Sequence, residues 1–140
     1  MSFDPKIIKE SFELAKPIAN DVVDKFYEFL WSDYPESKAL FDGVNMNHQK
    51  KALLNSLVFA VENCDNTDKL IPYLEAMGSR HLNYGTQEEH YPIVGATLLK
   101  TFEFFFKEKW TPELNEQWSN CYGVISSVMI SGAKKHQKAA

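Results

Sequence analysis

The sequence predicts an all-α domain, and three observations carry that expectation. Apolar residues recur every three to four positions along most of the chain, and caps and prolines divide it into segments of helical length. No stretch shows the short alternating runs and tight hairpin turns of a sheet. At 140 residues the chain fits one domain over 1–140, enough to bury roughly two-thirds of its unfolded surface. With 24% charged and 14% aromatic residues, the composition is that of a folding chain rather than a disordered one.

The elements follow in order. Asp4 before Pro5 reads as an N-cap with a first-turn proline, opening a helix with Ile7, Ile8, Phe12 and Leu14 on its buried side. Pro17 restarts the chain into a second helix, where Ile18, Val22, Val23, Phe26, Tyr27, Phe29 and Leu30 recur at helical spacing. Asp33 and Pro35 open a short helical turn ending at Leu40-Phe41; Asp42-Gly43 breaks it, and Val44 to Asn47 reads as loop. A third helix is expected from about His48 to Asn63, with Leu53, Leu54, Leu57, Val58 and Val61. The polar cluster Asp65 to Asp68 caps the next segment, which runs to His81, and Gly85 suits a C-terminal stop. A long helix is expected from about Glu88 to Lys107. Thr111-Pro112 then caps a last one carrying Leu114, Trp118, Tyr122, Ile125 and Met129.

Charge and motifs narrow the function classes. A net charge of −4 and a balanced acidic composition disfavour a nucleic-acid footprint, which needs a basic face. The locally basic tail Lys134-Lys135-His136-Gln137-Lys138 reads as a solvated helix end favoured by the helix dipole. Cys64 and Cys121 form no CxxC pair, so reduced thiols in a cytoplasmic protein are expected rather than a disulfide framework or a zinc site. The N-terminus shows no secretion signal, and no apolar run approaches a membrane span. Glycine-rich phosphate loops, HExxH and a nucleophile elbow are all missing, which makes a self-contained hydrolase or dehydrogenase improbable.

Three groups are awkward in a plain helical core: Tyr27, Gln49 and His81. Taken alone, Tyr27 reads as a core tyrosine with its hydroxyl on a backbone acceptor, and Gln49 as a first-turn residue facing water. Gln49, Leu53 and Leu57 share one helix face, because positions four apart stack; that face lines either a pocket or the core. The aromatic run from Phe102 to Phe106 is expected to be buried rather than to form a surface patch.

Longer strings carry a resemblance over nearly the whole chain. They are Phe26-Tyr27, Tyr34-Pro35-Glu36 through Leu40-Phe41, Gln49-Lys50-Lys51-Ala52-Leu53-Leu54-Asn55, His81 after Met77, His90-Tyr91-Pro92-Ile93-Val94-Gly95, and Trp118 followed by Tyr122-Gly123. The sequence resembles the bacterial single-domain globins and the globin domain of flavohaemoglobins. The resemblance implies a globin fold, about seven helices around a haem pocket, with haem b as cofactor.

Carried over residue by residue, the resemblance makes His81 the proximal iron ligand and Phe41 the aromatic stacked on the macrocycle. Tyr27 and Gln49 become the distal polar pair and Leu53 the apolar wall over the iron, with Leu57, Val94 and Leu98 completing the haem contacts. Met77 would lie under the haem, and Tyr91 would pack beside the proximal histidine. His48 remains an alternative distal group if the third helix is shifted by one residue. The implied ligands are dioxygen, carbon monoxide and nitric oxide, with oxygen scavenging or gas sensing as the role.

A nitric oxide dioxygenase is the enzymatic alternative. Nothing in the 140 residues reads as a flavin or nicotinamide domain, so turnover would draw on a separate reductase. Flavohaemoglobins also place a glutamate in the last helix beside the proximal histidine and tyrosine. Ala133 stands there in this chain, which implies a less peroxidase-like haem.

Overall fold

The computed structural model describes residues 3–83 and 86–139, with the side chains of 83 and 136–139 outside that description. Among the described residues the chain is helical throughout. The α-helices are α1 (Pro5–Phe12), α2 (Ala19–Asp33), α3 (Met46–Glu62), α4 (Thr67–Asn83), α5 (His90–Phe106) and α6 (Pro112–Ala139). A seven-residue 3₁₀ segment, Pro35–Phe41, makes a seventh, and shorter 3₁₀ turns cover Lys16–Ile18 and Lys107–Lys109. The all-α expectation holds. The stop expected at Gly85, and the side chains of 136–138 in the basic tail, lie outside the described residues.

Most boundaries follow the caps. The Asp4 carboxylate accepts from the Lys6 amide at 2.9 Å with Pro5 in the first turn, and Thr111 Oγ1 accepts from Leu114 at 3.1 Å. Two expectations fail. Leu14 is 40% exposed, because α1 ends at Phe12 and the chain then turns, leaving Ala15 in the buried position. α3 starts at Met46, two residues early, because the Asn45 side chain accepts from the His48 amide and caps it there. α5 ends at Phe106, and Lys107 follows as its cap with a φ of 53° and ψ of −122° that suit glycine far better than a side chain. Lys107→Gly is therefore expected to stabilise the fold by about 1 kcal/mol, strain relief outweighing the added chain entropy, and to raise the denaturation midpoint.

The core is divided in two. Ile8, Phe12, Phe26, Tyr27, Leu30, Val61, Leu98, Phe102 and Trp118 anchor one cluster, while Ala60, Leu70, Leu74, Tyr91 and Met129 form another. α2 packs on α5, α3 crosses α1 and α2, and α4 lies along α6. The α4–α6 approach is close enough that a Cβ on Gly78 would strike the Met129 carbonyl, and one on Gly132 the Glu75 carbonyl. The aromatic run on α5 splits: Phe102 and Phe106 are buried, whereas Phe104 is 48% exposed and meets Phe29 edge-on at 5.6 Å.

Both thiols are buried and free, and burial pushes Cys121 up to about 12 from an ordinary value of 9.0. Neither cysteine is expected to react with a disulfide reagent such as DTNB until the protein is unfolded. Above pH 9 an unfolded Cys121 loses its proton while the folded one keeps it. Stability is therefore expected to fall from about pH 9 towards 12, by up to about 1.4 kcal/mol per unit, as urea midpoints at pH 8 and 10 would read.

Candidate functional site

α2 and α3 bring Tyr27 and Gln49 together. Val22, Val23, Phe26, Tyr27 and Leu30 form the buried face of α2, and this places the Tyr27 ring inside the core, 3% exposed. The ring lies edge-on to Phe26 at 5.1 Å and to Phe41 at 5.5 Å. Its hydroxyl accepts a 3.2 Å hydrogen bond from Gln49 Nε2, so its partner is a side chain rather than the backbone acceptor of the plain core reading. Burial raises the Tyr27 pKa, with the Gln49 bond opposing, and the phenol keeps its proton at neutral pH. His48 stands exposed, on the other side of the alternative left open by the sequence. Leu53, Leu57, Phe41 and Val94 are half-buried against the first cluster, and Leu98 is buried within it.

His81 lies near the end of α4 and is half-buried. Its Nδ1 is 2.7 Å from the Met77 carbonyl. A carbonyl only accepts, so Nδ1 carries the proton and the neutral ring holds its lone pair on Nε2. Burial lowers the His81 pKa against the raising effect of that bond, with Arg80 adding to the lowering, which favours the neutral form. Met77 packs against the second cluster, which also holds Tyr91.

α3 and α4 are the two candidate walls of a slot, and they meet near their connection. α3 and α4 are joined by a short connection, Asn63–Asn66, which turns the chain back on itself. Tyr73 Oη donates to Ser56 Oγ at 3.4 Å across the pair. Tyr73, Met77 and His81 share one face of α4, as Gln49, Leu53 and Leu57 share one face of α3. No packing comparable to that of α4 on α6 joins α3 to α4 among the described residues.

A haem needs a flat apolar slot, a neutral imidazole of fixed tautomer on one side, and no charge buried opposite it. The residues present fit it. Leu53, Leu57 and Val94 stand half-buried against the first cluster and Met77 against the second, the His81 ring is held by Met77, and the Tyr27–Gln49 pair is uncharged. Such a carbonyl-held imidazole is the usual arrangement for a metal-binding nitrogen.

Sequence reasoning passed over Trp31 and Tyr73, and gave Tyr122 no role beyond its place in a matching string. Trp31, one turn after Tyr27 on α2, packs against Tyr27 at 5.5 Å and Phe41 at 5.9 Å, and its buried Nε1 has no hydrogen-bond partner among the described residues. The four-residue spacing from Tyr27 was its available signal. Tyr122 donates a 2.6 Å hydrogen bond to the Tyr91 carbonyl, and its ring passes where a Cβ on Gly95 would be only 2.6 Å away. This links the Tyr91-to-Gly95 string to the Tyr122-Gly123 string physically: each holds the other in place. Tyr73 carried no signal in the sequence.

Known proteins agree with this architecture. The globin family model matches residues 24–129. The flavohemoprotein of Bacillus subtilis is 31% identical over 127 residues, covering 89% of this chain and 32% of that protein. The flavohemoprotein of Bacillus thuringiensis subsp. konkukian is 32% identical over 139 residues, covering 96% and 34%. The chain thus spans about a third of the length of the curated relatives it matches. A bacterial globin from Campylobacter jejuni superposes with a TM-score of 0.83 at 30% identity, over 96% of each chain. An engineered carbene transferase from Rhodothermus marinus shares the fold, with a TM-score of 0.86 at 19% identity over 96% of this chain and 94% of the other. The chain belongs to the globin family.

Proposed function

We propose that the slot between α3 and α4 holds haem b and that the chain binds dioxygen reversibly, with carbon monoxide and nitric oxide as alternative ligands. The supporting observation is the half-buried Gln49–Tyr27 hydrogen bond at 3.2 Å, with the carbonyl-held His81 imidazole on the helix that follows α3. The haem supplies the iron at which a diatomic gas binds. His81 holds the group through Nε2, with its orientation fixed by Met77. Phe41, Leu53, Leu57, Val94 and Leu98 exclude water on one side, and Met77 and Tyr91 do so on the other.

The Tyr27 oxygen accepts from Gln49, so its own proton is the one it offers to a ligand carrying partial negative charge. A donor pair of this kind retains oxygen tightly, which suits scavenging or sensing better than delivery. Cytoplasmic residence is part of the reading, since the two buried thiols are free.

The test is the absorption spectrum of the purified chain. A Soret band that is present in the parent and lost in His81→Ala supports the reading, whereas a parent that takes up no haem overturns it.

Similarity to flavohemoproteins favours a second reading, nitric oxide dioxygenation to nitrate with electrons from a separate flavin reductase. Ala133 in place of the expected glutamate weighs against efficient turnover. Sustained nitric oxide consumption with an added reductase supports this reading, and a single turnover that stalls in the ferric state removes it.

A further inference from the structure

The two walls are held mainly by different neighbours, although Ala60 of α3 joins Leu70 and Leu74 of α4 in the second cluster. α3 is held by α1 and α2, while α4 is locked to α6 where Gly78 and Gly132 let the helices meet. Between the walls, one aromatic contact stands out. The Phe59 ring of α3 and the Tyr73 ring of α4 are stacked, with centroids 4.0 Å apart and planes 26° from parallel, and the Tyr73 hydroxyl reaches Ser56. It lies near the Asn63–Asn66 connection, about two turns before His81 along α4 and about three turns after Gln49 along α3.

Pro72 precedes Tyr73 inside α4 and has no N–H to offer the Asp68 carbonyl, so the helix is least constrained at that point.

We propose that Tyr73 is a positioning residue: its stack on Phe59 sets the separation of the Gln49 and His81 walls without touching any ligand. The significance for gas binding rests on the haem reading above, but the geometry does not. With the walls held at that separation, a bound ligand stays within reach of Tyr27. With the stack removed, the slot opens and that hydrogen bond lengthens.

The experiment measures wall separation directly, by distances between nitroxide labels at Lys51→Cys and Arg80→Cys. Both positions are exposed, and buried Cys64 and Cys121 take no label. Tyr73→Phe keeps the stack and is expected to leave the distance distribution unchanged. Tyr73→Ala is expected to lengthen and broaden it, and Phe59→Leu to do the same from the other wall. Phe59→Leu also carries the test if Tyr73→Ala does not fold. In the haem-loaded protein, oxygen release from either widening variant is expected to be about tenfold faster, the loss of one ligand hydrogen bond.

Distributions that superimpose on the parent in Phe59→Leu and in any folded Tyr73→Ala overturn the proposal, as does a Tyr73→Phe shift equal to that of Tyr73→Ala. Failure to load haem with the distances altered as expected would instead remove the haem reading and leave the positioning role of Tyr73 standing.

Discussion

In the haem-loaded chain, Tyr27→Phe is expected to release dioxygen roughly ten- to a hundredfold faster than the parent. The substitution removes one hydroxyl and little else. The phenylalanine ring keeps the edge contacts with Phe26 and Phe41 and the packing on Trp31, so the fold is expected to persist. What is lost is a donor to a ligand that carries partial negative charge, and such a hydrogen bond contributes about 1.5–3 kcal/mol. Every 1.4 kcal/mol is about tenfold in an equilibrium constant, and loss of a contact formed after encounter falls mainly on dissociation.

Gln49→Leu is expected to have a smaller effect of the same sign, because it frees the hydroxyl to turn away without removing it. Stopped-flow displacement of oxygen by carbon monoxide reads both rates. An unchanged rate in Tyr27→Phe would mean that the hydroxyl points elsewhere in the loaded protein.

The fold was legible because local chemistry and long-range packing agree. Asp4 with Pro5 and Thr111 with Pro112 mark helix starts that the structure keeps, and the spacing of Val22, Val23, Phe26, Tyr27 and Leu30 gives the buried face of α2 directly. Errors arose where two signals competed. Asn45 read as loop because Asp42-Gly43 precedes it, yet its side chain caps α3 and draws Met46 and Asn47 into the helix. Leu14 fitted a helical period that α1 does not live long enough to use.

The site was legible to a different depth. Resemblance pointed to Tyr27, Gln49 and His81 by position, but the bond that joins the first two spans 22 residues and two helices, and no local pattern encodes it. Tyr73 shows the limit most plainly. Its significance lies in Phe59 and Ser56 on another helix, and nothing about a tyrosine after Pro72 announces those partners. Gly95 and Tyr122 are the intermediate case: the two strings were visible, but only packing explains why they occur together.

Gly78→Ala and Gly123→Ala are the same chemical change with opposite expected signs. Both glycines sit inside helices, where alanine is intrinsically better by about 1 kcal/mol. At Gly123 an added Cβ meets nothing within 4 Å, so that gain is expected almost undiminished, as a small rise in thermal midpoint. At Gly78 the same methyl group collides with the Met129 carbonyl, which is backbone and has no rotamer to retreat into. α4 and α6 must separate, and separation uncovers Leu74 and Met129 in the second cluster.

A net loss of about 2–4 kcal/mol is expected for Gly78→Ala, lowering the thermal midpoint by roughly 10 °C. Circular dichroism melts of the two variants side by side provide the comparison, and a Gly78→Ala midpoint at or above the parent's would remove the close crossing from the account. His81 lies one turn beyond Gly78 on the same helix, so the crossing that stabilises the fold also fixes where the imidazole stands. Gly78→Ala is accordingly expected to weaken haem retention as well as stability, whereas Gly123→Ala, on the exposed side of α6, is expected to leave retention unchanged.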